Sequence, residues 1–133
     1  LDGLLRLEES SFEKVNHHST YLEKVNKFRV LLQKNFKKEK SVSYYSEQLN
    51  ISPQRLSVMT KTVLGKGAKK IVVDKVASEA QKMLENSTLN ISEIAFELGF
   101  LDEANFSTFV KKNLGKSPTE MREFLLNSAK NTN

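Results

Sequence analysis

The sequence predicts an all-α protein in which two similar helical units are joined by a longer helix. Apolar residues recur at helical spacing along most of the 133 residues, as on the buried faces of amphipathic helices. Only two prolines and five glycines interrupt this pattern, which disfavours a sandwich or barrel of short strands. Two segments about 50 residues apart share one residue pattern, which indicates a duplicated unit.

The N-terminal part contains one clear helix signal. Residues 1–19 are compatible with either a helix or a frayed linker. Thr20 and Glu23 have the spacing of a capping box, in which each side chain binds the other residue's free backbone N–H. This spacing predicts that a helix begins at Thr20 and continues through apolar residues to Phe36. The basic, turn-like segment 37–40 is expected to end it.

A first pair of short helices is predicted within residues 42–65. Ser43 is the expected N-cap of the first helix. Ser52 is the expected N-cap of the second, which covers residues 53–64. Pro53 occupies its first helical position, where a missing N–H costs nothing.

The remaining elements follow in the same way. A helix of 19 residues is predicted over 68–86, and a second pair of short helices over 91–115. Asp102 is the expected N-cap of the second member of that pair, at 103–114. A final helix is predicted over 117–127, followed by a polar tail that is expected to fray.

The two pairs of helices are related by an internal repeat. Residues 61–66 and 111–116 both read K-x-x-L-G-K and lie 50 residues apart. The turns that precede them, 49–51 and 98–100, lie 49 residues apart, which indicates a second turn that is one residue longer. Each unit is therefore expected to have a short helix, a tight turn, a longer helix, a glycine and a lysine.

Each unit also has the residue pattern of a helix-turn-helix. A small residue, Ser46 or Ala95, stands where the second helix would cross close to the first. A residue that tolerates left-handed backbone angles follows four positions later, at Asn50 and Gly99. Two ordinary helical hairpins in a bundle are the structural alternative. Two matched units with basic ends favour DNA binding.

Charge and length agree with DNA binding. The net charge of +5 is also common among enzymes, but residues 52–75 carry six lysines and arginines against Asp74 alone. The predicted helix 68–86 would be about 28 Å long at 1.5 Å per residue. Successive major-groove faces lie about 34 Å apart, so such a helix could hold two recognition helices about one turn apart.

Several other function classes lack support in the sequence. The chain has no cysteine, and the two histidines, His17 and His18, are adjacent and point in different directions on a helix, so no metal or cofactor is expected. It has no Gly-rich phosphate loop and no nucleophile motif, so we expect no enzyme. No membrane-spanning segment or signal peptide is expected, which predicts a cytoplasmic location. A protein-interaction module that uses residues 1–40 remains the alternative from another class.

The chain resembles the DNA-binding domain of the AraC/XylS family of bacterial transcription regulators over about Val42–Phe124. Its strongest part is Ile91–Phe100, which reads ISEIAFELGF. The other matching residues of this half are Asn105, Phe106, Ser107, Lys111, Lys112, Leu114, Gly115, Ser117 and Pro118. The first half matches less strongly, at Leu49, Ser52, Pro53, Leu56, Ser57, Lys61, Gly65, Lys66 and within Ala80–Leu84.

The resemblance implies a homeodomain-like, all-α domain over residues 41–133, with two helix-turn-helix subdomains joined by the long helix. It implies binding to double-stranded promoter DNA, contact with RNA polymerase and, usually, transcription activation. It also implies a sensor or dimerisation domain outside this fragment, to which residues 1–40 would be the connection. Val58, Lys75 and Thr108 stand where the family often has arginine. Because of Val58 and Thr108, the base code is expected to differ from that of known members.

Side chains near the start of a recognition helix reach base edges, whereas lysines at its end reach phosphates. The candidate base contacts are Gln54, Arg55, Ser57, Val58, Glu103, Asn105, Ser107 and Thr108. The candidate phosphate contacts are Ser52, Lys61, Lys66, Lys111, Lys112 and Lys116. Plain solvent exposure is the alternative for each of them, and helix capping is a further alternative for Glu103. The aromatic residues Phe96, Phe100, Phe106 and Phe109 are expected in the core.

Overall fold

The computed structural model describes the backbone of residues 2–131 and the side chains of residues 18–130. Leu1, Thr132, Asn133 and the side chain of His17 lie outside the described residues. Within 2–131 the chain forms helices and no strand, which confirms the all-α prediction. The helices are α1 (Asp2–Asn35), α2 (Val42–Gln48), α3 (Pro53–Leu64), α4 (Ala68–Asn86), α5 (Ile91–Glu97), α6 (Glu103–Leu114) and α7 (Pro118–Asn131).

The chain divides into two compact units. Unit 1 consists of the described residues of Leu1–Lys34 and Ser41–Lys70. Unit 2 consists of those of Asn35–Lys40 and Ile71–Asn133. Each unit contains one helix-turn-helix pair, and α4 leads from the first unit into the second.

α1 shows that the predicted helix start at Thr20 is wrong. The helix runs without interruption from Asp2 to Asn35, and no glycine or proline breaks it after Gly3. Glu23 does not cap a helix start. Its carboxylate lies 3.2 Å from the ammonium of Lys27, one turn further along the same helix. Residues spaced by three or four positions are neighbours inside a helix too, so a capping-box pattern does not by itself fix a boundary.

The core of unit 1 is built from three helices. The side chains of Val25 and Phe28 from α1 are fully buried. The ring of Phe28 meets the buried ring of Tyr45 from α2 edge to face, with 5.5 Å between the centroids. Leu56 and Met59 contribute the buried face of α3. α1 is therefore an integral part of this unit, because its apolar face completes the core under the helix-turn-helix pair.

The turn of unit 1 follows the prediction, but the start of α2 does not. Asn50 has a positive φ of 58°, and Ser46 is buried at the helix crossing. The N-cap of α2 is Ser41 rather than Ser43, since the Tyr44 N–H donates to the Ser41 hydroxyl at 3.2 Å. Ser41 has the extended backbone that a cap requires, with φ −97° and ψ 135°, whereas Ser43 already lies inside the helix.

Unit 2 repeats this arrangement with α5, α6 and α7. Leu98 and Phe106 are fully buried, and Gly99 makes the turn with φ 79°. Asn90 and Glu93 form a capping box at the start of α5. The guanidinium of Arg122 on α7 donates to the carbonyl of Leu84 at 2.8 Å, which satisfies a free acceptor at the end of α4.

Two predictions for unit 2 need correction. The final helix was expected to end near 127, but α7 continues to Asn131 because no glycine or proline follows Pro118. Phe96 is not a core residue, since 81% of its surface is exposed, whereas Phe106 is buried as predicted. α5 has seven residues, of which Ile94 and Ala95 are buried. Phe96 lies on the exposed side of this short helix.

Candidate nucleic-acid interface

α3 presents one continuous exposed face. Gln54, Arg55, Val58, Lys61 and Thr62 are all exposed, and their spacing of three or four places them on one side of the helix. The opposite side of α3 packs into the core of unit 1 through three buried side chains. This face is therefore available to a partner over the whole length of the helix.

α6 presents an exposed face of the same kind in unit 2. Asn105, Thr108, Lys111 and Lys112 are exposed, again at spacings of three or four. Phe106 and Val110 are fully buried on the opposite side. Ala104 is also exposed, so the first turn of α6 has a small residue where α3 has Gln54.

α3 and α6 have the same length, and their positions align at a constant offset of 50. Both have 12 residues, and both end at a glycine with left-handed backbone angles, Gly65 and Gly115. A lysine directly follows each glycine, at Lys66 and Lys116. The structure therefore places the lysine pairs 61/111 and 66/116 at equivalent positions of the two units.

A polar side chain fixes the beginning of each helix. The Arg55 N–H donates to the hydroxyl of Ser52 at 3.1 Å, and the Asn105 N–H donates to the carboxylate of Asp102 at 2.7 Å. Each N-cap satisfies one free backbone N–H in the first turn of its helix. The Ser52 hydroxyl accepts in this bond, so its own proton can still be donated to a phosphate.

The five candidate phosphate-binding lysines are all exposed, at positions 61, 66, 111, 112 and 116. The ammonium of Lys116 lies 5.2 Å from the ring centroid of Phe124. This contact holds the charge beside the end of α6. Lys40, in contrast, is a structural lysine. It donates to the Lys37 carbonyl at 2.8 Å and lies over the Phe100 ring, and desolvation by burial lowers its pKa.

Ser57 is half-buried at the edge of the exposed face of α3. Its hydroxyl accepts a hydrogen bond from the N–H of Ala68 at 3.2 Å, which satisfies a free donor at the start of α4. Ser107 is the equivalent residue of α6 and is half-buried. Its equivalent partner position is Pro118, which has no N–H to donate. The two serines therefore have different surroundings despite their matched positions.

Glu103 is exposed in the first turn of α6. A carboxylate there interacts favourably with the positive end of the helix dipole, so its position fits both capping and contact with a base.

Sequence reasoning missed Thr62, which extends the exposed face of α3. Its hydroxyl donates to the Val58 carbonyl at 2.8 Å, one turn earlier. The signal that could have identified it is its spacing of four from Val58 and its match to Lys112 in the second unit.

Among residues 18–130, no group of three or more histidines or acidic residues is arranged to hold a metal ion. No helix in the described part of the chain is long and apolar enough to cross a membrane.

Comparisons with known proteins agree on one family. A family model described as a helix-turn-helix domain, of the AraC type, matches residues 45–123, which is more than half of the chain. The Msm operon regulatory protein of Streptococcus mutans is 27% identical over 104 residues. That match covers 78% of this chain but only 37% of the relative, so the chain spans about a third of that protein's length.

Two solved structures have the same fold. The C-terminal domain of AraT, a response regulator from Geobacillus stearothermophilus, is 32% identical with a TM-score of 0.69. The match covers 76% of this chain and 84% of that domain. The C-terminal domain of the two-component response regulator yesN from Fusobacterium nucleatum is 26% identical with a TM-score of 0.66, over 73% and 95% of the two chains.

Proposed function

This chain belongs to the AraC-type family of helix-turn-helix DNA-binding transcription regulators, and we propose that it binds promoter DNA by inserting α3 and α6 into adjacent segments of the major groove. The observation that carries this proposal is the match between the exposed faces of the two helices. An exposed polar face backed by a buried apolar one, present twice at a constant offset with lysines at the same end, is what two equivalent recognition helices require.

In unit 1, we assign base readout to the first two turns of α3. Gln54 fits the donor and acceptor pattern of adenine, and Arg55 can bind guanine through both of its terminal nitrogens or bind a phosphate. Val58 offers a methyl surface to a thymine methyl group. Ser57 is half-buried at the edge of this face, and its hydroxyl, which accepts from the Ala68 N–H, keeps a proton that it can donate to a base.

In unit 2, we assign base readout to Asn105 and Thr108. The Asn105 amide fits adenine, and the Thr108 hydroxyl and methyl can contact several bases. Glu103 would accept from the amino group of cytosine if the first turn of α6 lies deep in the groove. Ser107 lies at the edge of this face and can contribute a single hydroxyl contact.

The phosphate contacts set the position of each helix without reading sequence. We assign them to the Ser52 hydroxyl at the start of α3 and to lysines at the ends of both helices. The lysines are Lys61, Lys66, Lys111, Lys112 and Lys116.

The remaining partners follow from the family. We propose that the protein contacts RNA polymerase at the promoter, and that a sensor or dimerisation domain belongs to the same regulator. We also propose that the protein acts in the bacterial cytoplasm, because promoter DNA is found there. We assign no catalytic activity to the chain, because its family and fold are those of DNA-binding regulators.

Replacement of Asn105 by alanine tests the base-reading role directly. On a duplex selected by the protein, the preference for adenine at one position is expected to fall about ten-fold, because a bidentate amide contact supplies discrimination of that order. Binding to duplexes that differ at this position is measured by fluorescence anisotropy. Asn127→Ala, an exposed asparagine on α7, is the control and should leave the preference unchanged. An equal loss of affinity on all sequences would contradict base readout by Asn105.

A further inference from the structure

Arg55, a base-reading candidate of α3, contacts a residue of α1. Its guanidinium carbon lies 6.0 Å from the ring centroid of Tyr21. Tyr21 is half-buried, and it precedes the segment 45–123 that the helix-turn-helix family model matches. Arg55 therefore lies inside the matched segment and Tyr21 lies outside it.

The Tyr21 ring gives the Arg55 guanidinium a contact that restricts its rotamers. Arg55 is exposed, and no carboxylate forms an ion pair with it among the side chains of residues 18–130. A long, exposed arginine samples many rotamers, and it loses that freedom when it binds a base. A ring face within about 6 Å attracts the guanidinium and restricts it before DNA arrives.

The helix that carries this ring is held in place. Lys24, one turn after Tyr21 on α1, donates to the Leu49 carbonyl in the turn before α3 at 3.1 Å. The edge-to-face contact between Phe28 and Tyr45 joins the same helix to α2. Because Tyr21 lies on a helix fixed at these points, its backbone keeps a defined position relative to the first turn of α3.

We propose that Tyr21 is a positioning residue that orients Arg55 for base readout and makes readout by unit 1 depend on α1. The inference rests on the proposed function, since it requires that α3 reads bases. Unit 2 offers a contrast. The residue equivalent to Arg55 is Asn105, a short side chain beside the Asp102 cap, which has far less rotamer freedom to restrict.

The test compares variants of the chain on its selected duplex and on single-base variants of that duplex. Arg55→Ala identifies the base position that Arg55 reads. Tyr21→Leu is expected to weaken the preference at that same position about two- to five-fold, as expected for an exposed cation–π contact. Tyr21→Phe keeps the ring face and should retain the preference. Leu22→Ala, an exposed neighbour on α1, is the control and should leave it unchanged.

The double variant separates positioning from a general structural role. If Tyr21 acts through Arg55, adding Tyr21→Leu to Arg55→Ala should change the preference no further. An unchanged preference in Tyr21→Leu, an equal loss on every sequence, or additive effects in the double variant would each overturn the inference. In all three cases Arg55→Ala would still show readout by α3. If Arg55→Ala alters no base preference, the assignment of Arg55 in the proposed function fails, and the inference fails with it.

Discussion

Replacement of Gly99 by alanine is expected to lower the free energy of unfolding by about 3 kcal/mol and to abolish binding through unit 2. The backbone of Gly99 has φ 79°, which a residue with a Cβ adopts only at a cost. An added methyl group would also overlap the carbonyl oxygen of Lys37 and come within 2.9 Å of the Lys40 ammonium. The carbonyl belongs to the backbone and cannot move aside alone, so the turn between α5 and α6 would have to shift.

Gly115 provides a matched control for this prediction. It has a similar φ of 85°, but a methyl group added there would meet no atom within 4 Å. Gly115→Ala should therefore show the backbone cost alone, about 1 kcal/mol. Urea unfolding followed by circular dichroism measures both variants. Equal losses in the two variants would show that close packing against Lys37 contributes nothing to the turn.

Simultaneous replacement of Lys61, Lys66, Lys111 and Lys116 by alanine is expected to weaken DNA binding about 4000-fold at 0.1 M salt. Each lysine that neutralises a phosphate releases a counterion and contributes about 0.9 to the slope of log K against log salt. Removal of four such contacts should flatten that slope by about 3.6. The loss should be similar on all sequences, because phosphate contacts carry no base information.

The control for this variant changes the same charge elsewhere. Lys27, Lys34, Lys82 and Lys130 are exposed lysines on α1, α4 and α7. Their replacement by alanine lowers the net charge equally, so it should reduce the slope only through weak long-range attraction. Binding is measured by fluorescence anisotropy at several salt concentrations. Similar slopes for the two quadruple variants would contradict the assignment of Lys61, Lys66, Lys111 and Lys116 to phosphates.

The sequence predicted the two recognition helices and the helix between them to the residue. The structure has α3 at Pro53–Leu64, α4 at Ala68–Asn86 and α6 at Glu103–Leu114, as expected. These boundaries carry strong local signals, since polar N-caps precede the first and third helices and Gly65 and Gly115 end them. Local signals gave a wrong helix start at Thr20, because that boundary depended on the conformation of the preceding residues. The pattern at Thr20 resembles a helix start only if the preceding residues are not already helical.

Features that depend on contacts between helices were not predictable from spacing. The bond between Ser57 and the Ala68 N–H joins residues 11 positions apart and depends on how α3 ends and α4 begins. The contact between Tyr21 and Arg55 joins residues on different helices, and nothing local in either segment indicates it. The exposure of Phe96 was also missed, because an aromatic residue in an amphipathic helix is normally assigned to the core.

Selection of duplexes from random DNA by this chain, followed by binding of the selected sequence at several salt concentrations, tests the central claim most directly. Two recognition helices that read adjacent major-groove segments should enrich two short motifs about one helical turn apart, with a steep loss of affinity as salt rises. Steep salt dependence without an enriched motif would contradict base readout by α3 and α6. Absence of binding at low salt would contradict DNA binding by the chain and favour a protein-interaction module.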